Sequence, residues 1–148
     1  MIETVDAIMI VLEVDTEQIL FLMLASDGSI NRSGTGTLEW QKPGMFIGIT
    51  KEPLFEELRA EISPAWFDQQ GVYDAREKKG RSCELTISMK HNDGRQTDLL
   101  FRYGSKSMGP PADVNHFVKR AVTITDPWFH RQLKLVAKSD SDKKTPRE

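Results

Sequence analysis

A chain of 148 residues has the length of one domain, and a domain of that size buries roughly 70% of the surface its unfolded chain exposes, so it can hold a core without covalent staples. Its single cysteine excludes an intrachain disulfide and a cysteine-rich zinc site, and a net charge of −2 gives no general attraction to nucleic acid or anionic lipid. His91, His116 and His130 are too far apart in sequence for a local metal motif, so no metal or other cofactor is expected.

Charge is unevenly spread. Residues 1–31 hold six acidic residues and no lysine or arginine, which leaves the rest of the chain at +4. No apolar run reaches the ~18 residues of a membrane span, and Glu3 and Asp6 stand where a signal peptide would carry basic residues. These features predict a cytoplasmic protein without membrane or nucleic-acid partners.

Residues 7–14 (AIMIVLEV) and 19–25 (ILFLMLA) are nearly continuous apolar runs separated by Asp15-Thr16-Glu17-Gln18, and read as two strands joined by a tight turn. Neither run alternates, so both faces of these strands need cover, the second either from residues 40–50 or the last helix folding across it or from a partner, most simply a second copy. Asp27-Gly28 then turns the chain into residues 29–33, where Ile30 is the only large apolar side chain, the pattern of an edge strand. Ser33-Gly34-Thr35-Gly36-Thr37 invites comparison with an anion-cradling loop, but it has no GxxxxGK[ST] or GxGxxG and no helix directly after it. It reads as a loop. Residues 45–50 (MFIGIT) make a short strand candidate.

Pro53 suits the first turn of a helix in which Leu54, Phe55, Leu58 and Ile62 recur at helical spacing. Ser63-Pro64 ends that helix and opens a shorter one carrying Trp66 and Phe67, stopped by Gly71. Residues 74–81 (DAREKKGR) follow as a charged loop without interleaved aromatics, a solvated segment rather than a nucleic-acid patch.

The best-specified stretch is residues 83–103. Leu85, Ile87 and Met89 alternate with Glu84, Thr86, Ser88 and Lys90, and Leu99, Phe101 and Tyr103 alternate with Asp98, Leu100 and Arg102. A two-residue Asp93-Gly94 turn would put the two apolar sets on opposite faces. A three-residue Asn92-Asp93-Gly94 loop, closed by His91 and Arg95 with Gly94 at positive φ, pairs Ile87 with Leu99, Leu85 with Phe101 and Glu84 with Arg102. Residues 104–111 (GSKSMGPP) form a stiff connection to a helical stripe of Val114, Phe117, Val118, Ala121 and Val122. Asp126-Pro127 repeats the cap-plus-proline signature and opens a last helix with Trp128, Phe129, Leu133 and Val136. From Ser139 nothing apolar remains, which predicts a single domain over 1–138 and a disordered tail over 139–148.

The element order predicts an α+β domain, an antiparallel sheet of about five to six strands with three to four helices packed on it. Candidate chemistry is thin. Cys83 shares a face with Leu85 and Ile87 and should be a buried, inert thiol. Asp113, His116 and Arg120 lie away from the Val114–Phe117–Ala121 stripe, where a solvated face is the ordinary outcome. Asp126 and His130 sit one turn apart, but capping accounts for the aspartate, and Glu56 and Glu57 diverge by about 100° on a helix. No catalytic residue is assigned. Trp40, Trp66, Tyr73 and Trp128 are the candidate walls of a ligand pocket, with core packing as the alternative for each.

The leading reading is a non-enzymatic interaction or regulatory domain, acting as a homodimer or on a protein partner through the N-terminal strands. Second is a small hydrolase or transferase whose site assembles from distant loops; third is a small-ligand binding domain.

Overall fold

The computed structural model describes residues 1–37 and 44–144, with side chains to residue 139. It is an α+β structure in which seven strands form one mixed sheet and two α-helices pack against one side of it. In chain order the strands are β1 (Val5–Val14), β2 (Glu17–Ala25), β3 (Ser29–Ser33), β4 (Met45–Ile49), β5 (Gly71–Asp74), β6 (Ser82–His91) and β7 (Gln96–Gly104). The helices are α1 (Leu54–Arg59) and α2 (Ala112–Lys144). Across the sheet the order is β4-β3-β2-β1-β6-β7-β5.

The β6–β7 hairpin has the register that its two apolar sets require. Ile87 faces Leu99, Leu85 faces Phe101 and Glu84 faces Arg102, whose Nε lies 3.3 Å from the Glu84 carboxylate. The loop closes through His91 N–H to the Arg95 carbonyl, and Gly94 takes φ +90°. That positive φ is the reason for glycine at this position. β1 and β2 join through a two-residue turn, with Asp15 at φ 50° and Thr16 at φ 68°.

Four features depart from the sequence reading. The sheet has seven strands, because Gly71–Asp74, read as a helix stop leading into a loop, adds β5 to the edge of β7. That pairing is parallel, so the sheet is not wholly antiparallel. β3 is not an edge strand, since β4 pairs outside it from Ile49 opposite Ser29 to Met45 opposite Ser33. The short helix after Pro64 is a single 3-10 turn, Pro64–Asp68. Only two α-helices form, where three to four were expected.

The two C-terminal helices are one. The apolar stripe of α2 stays in phase through Val114, Phe117, Ala121, Thr125 and Trp128, so one straight packing face runs across Pro127. Proline lacks the N–H that would reach the carbonyl four residues back, and a break would be the ordinary result. Here Arg32 braces the turn before it. Its Nη1 donates to Thr125 Oγ1 at 2.8 Å and Asp126 Oδ1 at 3.0 Å, and its guanidinium lies 4.5 Å from the centre of the Phe129 ring. The Thr125 hydroxyl in turn donates to the Ala121 carbonyl at 2.7 Å. Asp126 is therefore the partner of a buried arginine rather than the cap of a new helix.

α2 continues to Lys144, past the point where disorder was expected to begin; residues 145–148 lie outside the described residues. A helix of 33 residues is about 50 Å long, and seven strands span only about 29 Å. Val114 lies near the β7–β5 edge and Trp128 packs on Gly48 of β4, so the helix has crossed the whole sheet by Trp128. Beyond that point it overhangs, and Leu135 and Val136 are exposed.

Candidate functional site

The strand register assigns every side chain of the sheet to one of two faces. On the first, Ile8 and Ile10 of β1, Leu20, Leu22 and Leu24 of β2, Ile30 of β3, Leu85, Ile87 and Met89 of β6 and Leu99 of β7 are all buried. Leu54, Phe55 and Leu58 of α1 and Val114, Phe117 and Ala121 of α2 cover them. Trp66 stands edge-on to Phe117 with ring centroids 5.1 Å apart. His91 is buried beside this core between Thr4 Oγ1 at 2.7 Å and Thr97 Oγ1 at 2.9 Å.

The second face carries the residues between those. Met9 lies opposite Met23 and Val11 opposite Phe21, four adjacent apolar side chains at the centre of the sheet, each only partly buried. The row through Val11 and Phe21 continues to Ser33 and Met45 on one side, and to Thr86, Leu100 and Val72 on the other. The row through Met9 and Met23 continues through Asn31 to Ile47. Ile47 is 74% exposed, Ile49 78% and Val72 60%. Among the described residues no helix packs on this face. The expectation that β1 and β2 are apolar on both sides thus holds; of the two intrachain roofs considered, the last helix and residues 40–50, neither the helix nor the described residues 45–49 covers the second side, and residues 40–43 lie outside the described residues. α2 lies on the first face, and residues 45–49 extend the sheet.

A second concavity opens on the helix side, at the β7–β5 edge. It is a cleft of about 920 Å³ between β5, β7, the 3-10 turn, the start of α2 and the loops 75–79 and 106–111. Trp66 forms part of its wall, itself only 2% exposed, with its indole N–H donating to Asp113 Oδ2 at 3.0 Å. Tyr73 stacks on Phe101 at 5.2 Å with ring planes 15° apart, and its hydroxyl donates to the Gln69 carbonyl. Burial pushes the Tyr103 phenol up to about 12.

Of the four aromatic candidates, Trp66 and Tyr73 converge on this cleft. Trp128 is buried at the opposite edge of the sheet, against Gly48, and Trp40 lies outside the described residues. The cleft also draws on Tyr103, Phe101, Lys79 and Lys106, which sequence reasoning did not single out as binding residues. The signal that could have found them is the pairing of the stiff 104–111 connection with the charged 74–81 loop.

Cys83 is buried with Val14 and Ile19, and burial, reinforced by the nearby Asp15 carboxylate, pushes its thiol up. Asp113, His116 and Arg120 are exposed, with His116 and Arg120 both near the Glu61 carboxylate at 3.5 and 4.0 Å. No histidine or cysteine lines the cleft. Among the described residues, no three His, Cys, Asp or Glu side chains come together as metal ligands, and no helix is long and apolar enough to cross a membrane. No family model matches the chain, and no curated protein matches its sequence.

Proposed function

We propose that the chain is a protein-interaction domain that pairs with a second copy of itself through the open sheet face. The observation that carries this reading is the block of Met9, Val11, Phe21 and Met23 at the centre of a face that the chain's helices leave uncovered. Seven strands of four to ten residues make a face of about 29 Å by 14–34 Å, or roughly 400–1,000 Å². One partner in a standard interface contributes about 800 Å². The area suits a dimer.

A twofold contact is the simplest way for such a face to be covered, and two sheets stacked about 10 Å apart would interdigitate these side chains as in a sandwich. The margins favour it as well. Glu13, Glu84, Arg102 and Asp74 form a row of mixed charge along one border, with Lys90 and Asp98 further along the face. In an antiparallel twofold arrangement, basic residues of one copy can oppose acidic residues of the other. The interface centre would then be apolar and its rim polar.

Sedimentation or light scattering across the micromolar range tests the reading. The wild-type chain should be a dimer at high micromolar concentration. Phe21→Glu should convert it to a monomer with an unchanged circular dichroism spectrum. A wild-type chain that stays monomeric throughout that range would overturn the proposal.

A further inference from the structure

We infer that the cleft at the β7–β5 edge is a binding site for a small amphipathic acid, a molecule with an aliphatic or aromatic body and one anionic head. Its volume of about 920 Å³ lies within the range of small-molecule sites, and its floor of Trp66, Leu99, Phe101 and Val114 is apolar. The walls are built in advance. Trp66 is held by Asp113, Tyr73 is held flat on Phe101, and neither can fold into the cavity without losing those contacts.

The head-group end is equally fixed. The loops over 78–81 and 104–107 are sewn together by four hydrogen bonds. Lys79 N–H donates to Ser107 Oγ at 2.6 Å, and Arg81 N–H to Ser105 Oγ at 2.8 Å. Lys106 N–H donates to the Lys79 carbonyl at 2.9 Å, and Ser105 N–H to the Arg81 carbonyl at 2.8 Å. The approach is so close that a Cβ at Gly104 would lie 2.2 Å from the Lys79 carbonyl oxygen, so only glycine fits there.

This stitching joins the Lys79 and Lys106 backbones beside the cleft, which both line together with Arg76. Among the described residues none of the three has a carboxylate within ion-pair distance. Three acids also line the cleft: Asp74 pairs with Lys78, Asp113 receives the Trp66 indole, and Glu77 lies in the 75–79 loop, so the cations there number one more than the acids once Arg102 is counted with Arg76, Lys79 and Lys106. With the two backbones joined, an anion bound at this end of the cleft would be attracted by both lysines. An apolar cavity beside these lysines fits a ligand whose charge sits at one end. Tyr103, another wall residue, adds a phenol to the lining without adding charge.

The test uses anilinonaphthalene sulfonate, which has an aromatic body and one anionic group, with decanoate and decanol as competitors. The full chain should bind the dye at one saturable site, with transfer from tryptophan. Decanoate should displace it about tenfold more effectively than decanol. Reversing these charges with Lys79→Glu and Lys106→Glu, both surface changes, should weaken dye binding by about tenfold. Filling the cavity with Val114→Trp should abolish it, and Tyr73→Ala gives a second wall variant where the filled protein does not fold. Phe21→Glu, on the other side of the sheet, should leave dye affinity unchanged. Equal displacement by decanoate and decanol, or dye binding lost in Phe21→Glu and kept in the lysine and wall variants, would overturn the assignment.

Discussion

The two faces of the β1–β2 pair are made of nearly the same amount of apolar side chain, yet they have different fates. Ile8, Ile10, Leu20, Leu22 and Leu24 are at most 1% exposed under α1 and α2, while Met9, Val11, Phe21 and Met23 remain partly open. The side chains differ in kind. Branched aliphatics dominate the covered face, where a fixed shape packs against helices; two flexible methionines and a phenylalanine dominate the centre of the open one, where an adaptable surface suits a partner. Covering apolar surface is thus a matter of which element reaches it. Both helices went to one side because α2 alone crosses the whole sheet, and α1 and the 3-10 turn pack beside it.

The comparison can be broken most directly by equal truncations. Phe117→Ala, at the centre of the covered face, should cost about 3–5 kcal/mol in denaturant unfolding, the range for a fully buried phenylalanine. If Phe21→Ala on the open face cost as much in the monomer, the two faces would be equivalent and the contrast would fail.

Arg32 sharpens the comparison, because among the described residues it is the one charged side chain buried under α2. Burial pushes its guanidinium down, and the Asp126 carboxylate partly restores it. Arg32→Ala should cost about 2–3 kcal/mol, less than the ~3–5 for a fully buried pair, because the Asp126 side chain is 38% exposed. The same variant should loosen α2 around Pro127, seen as faster amide exchange at Thr125 to Phe129. Unchanged exchange there would mean that the helix holds its line across proline without the arginine.

On the open face, Met23→Gln should leave monomer stability within about 0.5 kcal/mol, as a surface change does, while weakening self-association. A loss above that in a monomeric sample would show that part of the chain covers Met23. The smallest effect is chemical rather than thermodynamic. Cys83 is buried and its thiol is held above its ordinary range, so a thiol reagent should label it slowly in the native protein and quickly in denaturant. Rapid native labelling would contradict its place under the covered face.

Local pattern carried the sequence reading as far as neighbouring residues decide the outcome. The β6–β7 register was legible because period-two alternation and a three-residue turn leave one arrangement with matched faces. The cleft was half legible. Trp66 and Tyr73 were recognisable as large aromatic side chains, but their meeting with Lys79 and Lys106 depends on hydrogen bonds between loops more than twenty residues apart. Arg32 was not legible at all, since a lone arginine in a short polar strand reads as surface, and its partners lie some ninety residues away.

By itself the sequence determined the strands β1, β2, β6 and β7, the turn between the last two, the buried position of Cys83 and the apolar character of β1 and β2 on both sides. These follow from periodicity, turn chemistry and the cost of wet apolar surface, all local quantities. Only the tertiary structure decided the parallel addition of β5, the place of β4 outside β3, the unbroken run of α2 over Pro127 and which apolar face the helices roof. Each of those depends on a distant element arriving to supply a hydrogen-bonding edge, a guanidinium or a packing surface, and no short stretch of chain encodes that arrival.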